Sequence, residues 1–90
     1  MTTPVLMYST RFCPYCIRAK RLLSDRGVAF EDISVDSNPE LRAKMQALSG
    51  RRTVPQIWIG ETHVGGFDDL WALDRQGRLD ELLNQAQSGA

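Results

Sequence analysis

Two periodicities alternate along these 90 residues. The short apolar run from Val5 to Tyr8 predicts a buried strand. Helical spacing follows, with Cys16, Ala19, Leu22 and Leu23 on one face and Arg18, Lys20, Arg21 and Arg26 on others. Pro14 suits the first helical position, and Gly27 takes the place just past the end. The segment 28–35, VAFEDISV, predicts a second strand through Phe30, Ile33 and Val35. Two strands joined through a helix form a parallel unit.

Ser37-Asn38-Pro39-Glu40 marks a second helix start, capped by Ser37 with Glu40 or by Asn38 with Pro39 behind it. Leu41, Met45 and Leu48 form its apolar stripe, a packing face, and Gly50 closes it. Ile57-Trp58-Ile59 and Thr62-His63-Val64 then predict an antiparallel hairpin about Gly60-Glu61, with Pro55 at a strand start. His63 is an ordinary hairpin residue on this reading. Asp68 or Asp69 caps a helix containing Leu70, Trp71 and Leu73, which Gly77 ends. Leu79, Leu82, Leu83 and Ala86 line a last helix, and the small polar tail Gln85–Ala90 is expected to fray. The order β-α-β-α-β-β-α with a terminal helix predicts an α/β layered domain on a mixed four-stranded sheet.

Length fits a single domain over residues 1–90, and 42% hydrophobic content supplies a core without staples. Eleven basic and eleven acidic residues cancel, which argues against binding nucleic acid through phosphates. The charge is uneven: residues 11–26 carry five Arg or Lys against one Asp. That is a solvated helix face, or a positive field for anionic thiol substrates. Met1-Thr2-Thr3-Pro4 lacks the basic and apolar regions of a secretion signal, and no run has membrane-span length. A cytoplasmic location is the expectation.

Both cysteines lie in Cys13-Pro14-Tyr15-Cys16, where the first strand gives way to the first helix. A C-x-x-C beside a βαβ pattern reads as a thioredoxin-like redox motif. Cys13 falls at or just before the helix N-terminus, whose partial positive charge favours an anion, and Arg11 adds a cation. A thiolate is what attacks a disulfide, so Cys13 is the expected nucleophile. Cys16, one turn on and facing the core, is the expected resolving thiol. A purely structural bridge would close too short a loop to restrict the unfolded chain much. Two cysteines supply half of a zinc site, and His63 fits no zinc spacing; no metal is expected.

Three motifs then agree. Cys13-Pro14-Tyr15-Cys16, Thr53-Val54-Pro55 and Gly65-Gly66-Phe67-Asp68-Asp69 together resemble the dithiol glutaredoxins. The strings CPYCIRAK and TVPQIWIG are similar to the bacterial glutaredoxin 3 type in particular, and the likeness runs from Val5 to about Leu83. The resemblance implies a thioredoxin fold, glutathione as co-substrate, and reduction of protein disulfides and glutathione mixed disulfides. It implies a cis bond before Pro55 that lets the Val54 backbone pair with the cysteinyl part of glutathione. Thr53 and Pro55, on either side of Val54, are implied glutathione-binding residues with it. Gly66, Phe67, Asp68 and Asp69 would hold the γ-glutamyl end, and Tyr15 would flank the tripeptide. Phe12 is then an apolar rim contact. Many relatives carry Lys three residues before the first cysteine; here Thr10 stands there, and Arg11 or Arg52 is the expected replacement cation. Glutathionylated and disulfide-containing proteins, ribonucleotide reductase among them at family level, are the implied partners of a monomer. Two alternatives follow from the same residues: a dimer holding an iron–sulfur cluster through Cys13 and glutathione, and a glutaredoxin-like donor fed by thioredoxin reductase.

Overall fold

The computed structural model describes residues 4–88, with side chains for residues 4–83. Of the tail expected to fray, residues 85–88 are helical, while residues 89–90 and the Ala86 side chain lie outside that range. Eight elements follow in order: β1 (Val5–Ser9), α1 (Pro14–Asp25), β2 (Glu31–Ser34), α2 (Pro39–Ser49), β3 (Gln56–Ile59), β4 (Thr62–Gly65), α3 (Phe67–Arg75) and α4 (Leu79–Ser88). The sheet order is β2-β1-β3-β4. β1 pairs in parallel with β2, Leu6 against Glu31, and antiparallel with β3, Val5 against Ile59. β3 and β4 form the predicted hairpin, with Ile59 opposite Thr62.

Alternation along the strands splits the core in two. Val5 and Met7 of β1 and Ile57 and Ile59 of β3 face Ala19 and Leu23 of α1, Leu70 of α3 and Leu79 of α4. Tyr8, Val35 and Met45 form the second cluster, on the α2 side, with Trp58 and Val54 packed against it. A bidentate ion pair from Arg26 to Asp74, at 2.7 and 2.8 Å, ties the end of α1 to α3.

Local signals set the helix ends. The Val28 amide donates to the Leu23 carbonyl at 2.9 Å and the Gly27 amide to Ser24 at 3.0 Å. Gly27 sits at φ 69°, where an L side chain would be strained. The choice at the start of α2 falls to Asn38, whose side chain accepts from the Leu41 amide at 3.1 Å; Ser37 does not cap.

Two expectations change. β2 begins at Glu31 rather than Val28, because β1 offers pairing positions only from Leu6 to Ser9. Val28 and Phe30 pack against the core from outside the ladder instead. Leu48 does not share the buried stripe: Met45 is fully buried and Leu41 half-buried, but Leu48 is 57% exposed. α2 covers a small apolar patch on this face, and its last turn runs past it.

These positions separate in energy. Leu23→Ala should lower the unfolding free energy by about 2–5 kcal/mol, the range for a buried leucine. Leu48→Ala should change it by less than about 0.5 kcal/mol, as at ordinary surface sites. Urea unfolding of both variants measures the contrast, and equal losses would mean the stripe is buried after all.

Candidate active site

The β1-to-α1 turn places the two sulfurs. Cys13 is the N-cap of α1, in extended conformation (φ −83°, ψ 118°), and Pro14 opens the helix. The Cys13 side chain makes no capping bond to the helix. It turns instead to the loop before β3, where the thiol donates to the Val54 carbonyl at 3.7 Å. That contact joins residues 41 apart in sequence. The Val54–Pro55 peptide is cis.

Cys16 is one turn further on and fully buried, while Cys13 is half-buried. Burial pushes the Cys16 thiol up to about 11, and the Cys13 sulfur beside it pushes the same way. The Thr10 backbone and Lys20 act in the opposite sense. Cys16 therefore keeps its proton at neutral pH.

A groove of about 370 Å³ adjoins this turn. Tyr15 from α1 reaches it, as do Thr53, Val54 and Pro55 from the loop before β3, and Gly66, Phe67, Asp68 and Asp69 from the start of α3. Three stretches distant in sequence thus meet at one surface. The cation that lines it is Arg51, a residue that sequence reasoning passed over in favour of its neighbour. Arg52 lies outside the lining, with its carbonyl facing Arg42 at 3.5 Å. Arg11 also lies outside: its amide donates to Asp36 at 2.7 Å and its guanidinium stands 3.9 Å from the same carboxylate. Phe12 is 87% exposed and does not line the groove either.

The α3 start is built by Asp69. Its carboxylate accepts from the Gly66 amide at 3.0 Å and from Arg51 at 3.1 Å. The Gly66 amide first, then Arg51, hold the Asp69 carboxyl below its usual pKa range. The helix cap expected at Asp68 or Asp69 falls instead on Gly66, and Asp69 supports it by reaching back from the third helical residue to the Gly66 amide. Asp68 stays exposed. Gly65 has φ 116°, and a Cβ there would collide with the Asp69 carboxylate, so the glycine is needed for both reasons. The register slips between Ile57 and Trp58, where Ile57 faces Gly65 but Trp58 faces His63. Such a bulge bends the strand, here just before the glycine pair. Sequence spacing gave no sign of it. Among the described residues, no group of three His, Cys, Asp or Glu is placed to hold a metal, and no helix is long and apolar enough to cross a membrane.

A four-stranded mixed sheet carrying a Cys-Pro-Tyr-Cys helix start opposite a Val-Pro loop defines a thioredoxin-fold dithiol protein. The sequence pattern of the Glutaredoxin family matches residues 5–64. A glutaredoxin of Pseudomonas aeruginosa is 62% identical over 81 residues, which cover 90% of this chain and 96% of that protein. The solution structure of glutaredoxin from Brucella melitensis superposes with a TM-score of 0.82 at 54% identity, over 91% of this chain and 89% of that one. A buckwheat glutaredoxin–glutathione complex superposes at 0.84 with 31% identity, over 92% and 78%. The chain belongs to the glutaredoxin family, and its class of chemistry is thiol–disulfide oxidoreduction.

The two thiols should differ in reach and in titration. At pH 7, iodoacetamide should label Cys13 in the native protein and spare Cys16, as peptide mass mapping would show. Cys16 charges near pH 9.0 when unfolded and near 11 when folded. The folded state thus binds the proton more tightly in that window, and stability should fall as pH rises through it. Cys16→Ser should remove that part of the slope; an unchanged slope would mean that Cys16 is not desolvated.

Proposed function

We propose that this protein is a glutathione-dependent thiol–disulfide oxidoreductase that reduces glutathione mixed disulfides and protein disulfides. The observation that carries this reading is the Cys13 thiol facing the Val54 carbonyl at the edge of the groove. A peptide backbone laid along Val54 would pair with its N–H and C=O like an added strand. Its sulfur would then lie next to Cys13.

The rest of the groove suits the remainder of a tripeptide. The first amides of a helix lack partners within it, so the amides opening α3 suit the γ-glutamyl carboxylate. Asp68, exposed at the same place, suits the ammonium. Arg51 supplies the positive charge that suits a carboxylate, in place of the expected Arg11 or Arg52. Tyr15, 52% exposed, flanks the site.

Two sequences of exchange follow. In the first, the Cys13 thiolate attacks the glutathionyl sulfur of a mixed disulfide, forms a Cys13–glutathione disulfide and expels the substrate thiolate. A glutathione thiolate then attacks that glutathionyl sulfur, giving oxidised glutathione and free Cys13. In the second, Cys13 attacks a protein disulfide and releases one substrate thiolate. Cys16 loses its proton, attacks the Cys13 sulfur and releases the other, leaving a Cys13–Cys16 bridge that two glutathione molecules reduce. Forming the mixed disulfide ties up the Cys13 sulfur that helps to keep Cys16 protonated. Resolution is thereby favoured only once a substrate is attached. The partners on this reading are glutathionylated proteins and disulfide-bearing proteins such as ribonucleotide reductase, in the reducing cytoplasm.

The test is reduction of the mixed disulfide of glutathione and 2-mercaptoethanol, coupled to glutathione reductase and NADPH. Cys13→Ser should abolish turnover. Cys16→Ser should keep it within a few-fold and lose reduction of a protein disulfide. Equal loss in both variants would overturn the division of roles, and an inactive wild type would overturn the glutathione reading.

A further inference from the structure

The exchange steps above leave one buried polar chain without a role. Gln56, the first residue of β3, is fully buried on the α2 side of the sheet. A buried amide is costly unless each of its groups is paired, and its strand neighbours Ile57 and Ile59 show that apolar residues serve β3 well. Every end of this amide is engaged. Its Nε2 donates to the Thr53 carbonyl at 3.0 Å and to Thr53 Oγ1 at 3.3 Å. Its Oε1 lies 2.8 Å from His63 Nε2.

The orientation fixes the protons. The Thr53 carbonyl only accepts, so the amide nitrogen must face it and the amide oxygen must face His63. An amide oxygen also only accepts, so His63 carries its proton on Nε2. The imidazole is in turn held by Trp58, its cross-strand neighbour, with ring centroids 4.7 Å apart and tilted by 32°. Trp58 meets Tyr8 edge-on at 5.5 Å. Donation thus runs from His63 to Gln56 to Thr53, and it ends on the residue next to Val54. The Thr53 hydroxyl, which accepts from Gln56, keeps its own proton for another partner.

We propose that Gln56, held by His63, is a positioning residue that fixes Thr53 and, through it, the Val54 backbone for the glutathionyl group. Without the Gln56 bond the Thr53 carbonyl is free to rotate, and the Val54 N–H and C=O lose their fixed direction. The consequence falls on binding of the glutathionyl moiety and not on the intrinsic reactivity of Cys13. This inference rests on the glutathione reading given above.

The experiment compares wild type with Gln56→Met, His63→Phe and His63→Gln, using the same glutathione–2-mercaptoethanol disulfide, with thermal melts to establish folding. Gln56→Met keeps the volume and removes all three bonds. It should raise KM about five-fold, the effect of losing one ordinary hydrogen bond, with kcat within two-fold of wild type. His63→Phe should raise KM in the same direction, and adding it to Gln56→Met should do nothing further. His63→Gln puts an N–H donor back against Gln56 and should restore KM. Nitrogen-15 shifts of His63 should show the Nε2–H tautomer in wild type and a mixture in Gln56→Met. An unchanged KM in folded Gln56→Met, with an active wild type, would sink this inference alone; so would a fall in kcat at constant KM. If Gln56→Met melts below the assay temperature, the His63 pair decides: failure of His63→Gln to restore what His63→Phe loses overturns the proposal. Absence of wild-type turnover would remove the glutathione reading and this inference with it.

Discussion

The site depends on one non-local contact, the Cys13 thiol against the Val54 carbonyl. Neither partner is placed by its own neighbourhood. Cys13 is carried to the end of β1 by a strand at the centre of the sheet, and the start of α1 then presents its sulfur. Val54 is carried by the loop that enters β3, the strand hydrogen-bonded to β1. Pairing β1 with β3 therefore brings the cysteine turn and the Val-Pro loop to the same end of the sheet. The two core clusters hold that pairing from both faces, so core packing and redox chemistry share one scaffold.

The same scaffold makes two chemically equal thiols unequal. One helical turn takes the chain from a half-buried position at the helix start to a fully buried one beneath it. Desolvation then keeps the second thiol protonated, and the nearby first sulfur reinforces this. On the proposed mechanism that difference in depth sets the order of reaction, with the half-buried sulfur meeting the substrate and the fully buried one resolving it.

Charge in the groove is arranged with similar economy. Arg51 and Asp69 pair with each other across its edge, and Asp69 also holds the amide of Gly66, the cap residue before α3. The pair is half-exposed, a setting where solvent weakens an ion pair. Its contribution lies in shape more than in stability: it fixes where the helix begins, with Asp68 lining the groove beside it. Gly65 allows the close approach, and the slipped register in β4 bends the strand just before it.

Much of this was legible in the residues. Apolar spacing located every strand and helix, because burial on one face leaves a period of two or about 3.6 that needs no partner to be read. The Pro14 and Gly27 boundaries and the Gly60-Glu61 hairpin turn are local backbone effects and were read as such. The motifs carried the redox class and the list of groove residues. Other features depended on partners distant in the chain. The length of β2 was set by how much of β1 was free to pair, and the exposure of Leu48 by how far α2 overran its patch. Two adjacent arginines are equivalent as sequence, and only the position of Asp69 made Arg51 the one that lines the groove. His63 looked like an ordinary hairpin residue and Gln56 drew no reading at all, since a hydrogen-bond chain across two strands leaves no period and no motif. Periodicity is a property of one segment, whereas which side chains meet is a property of the folded chain.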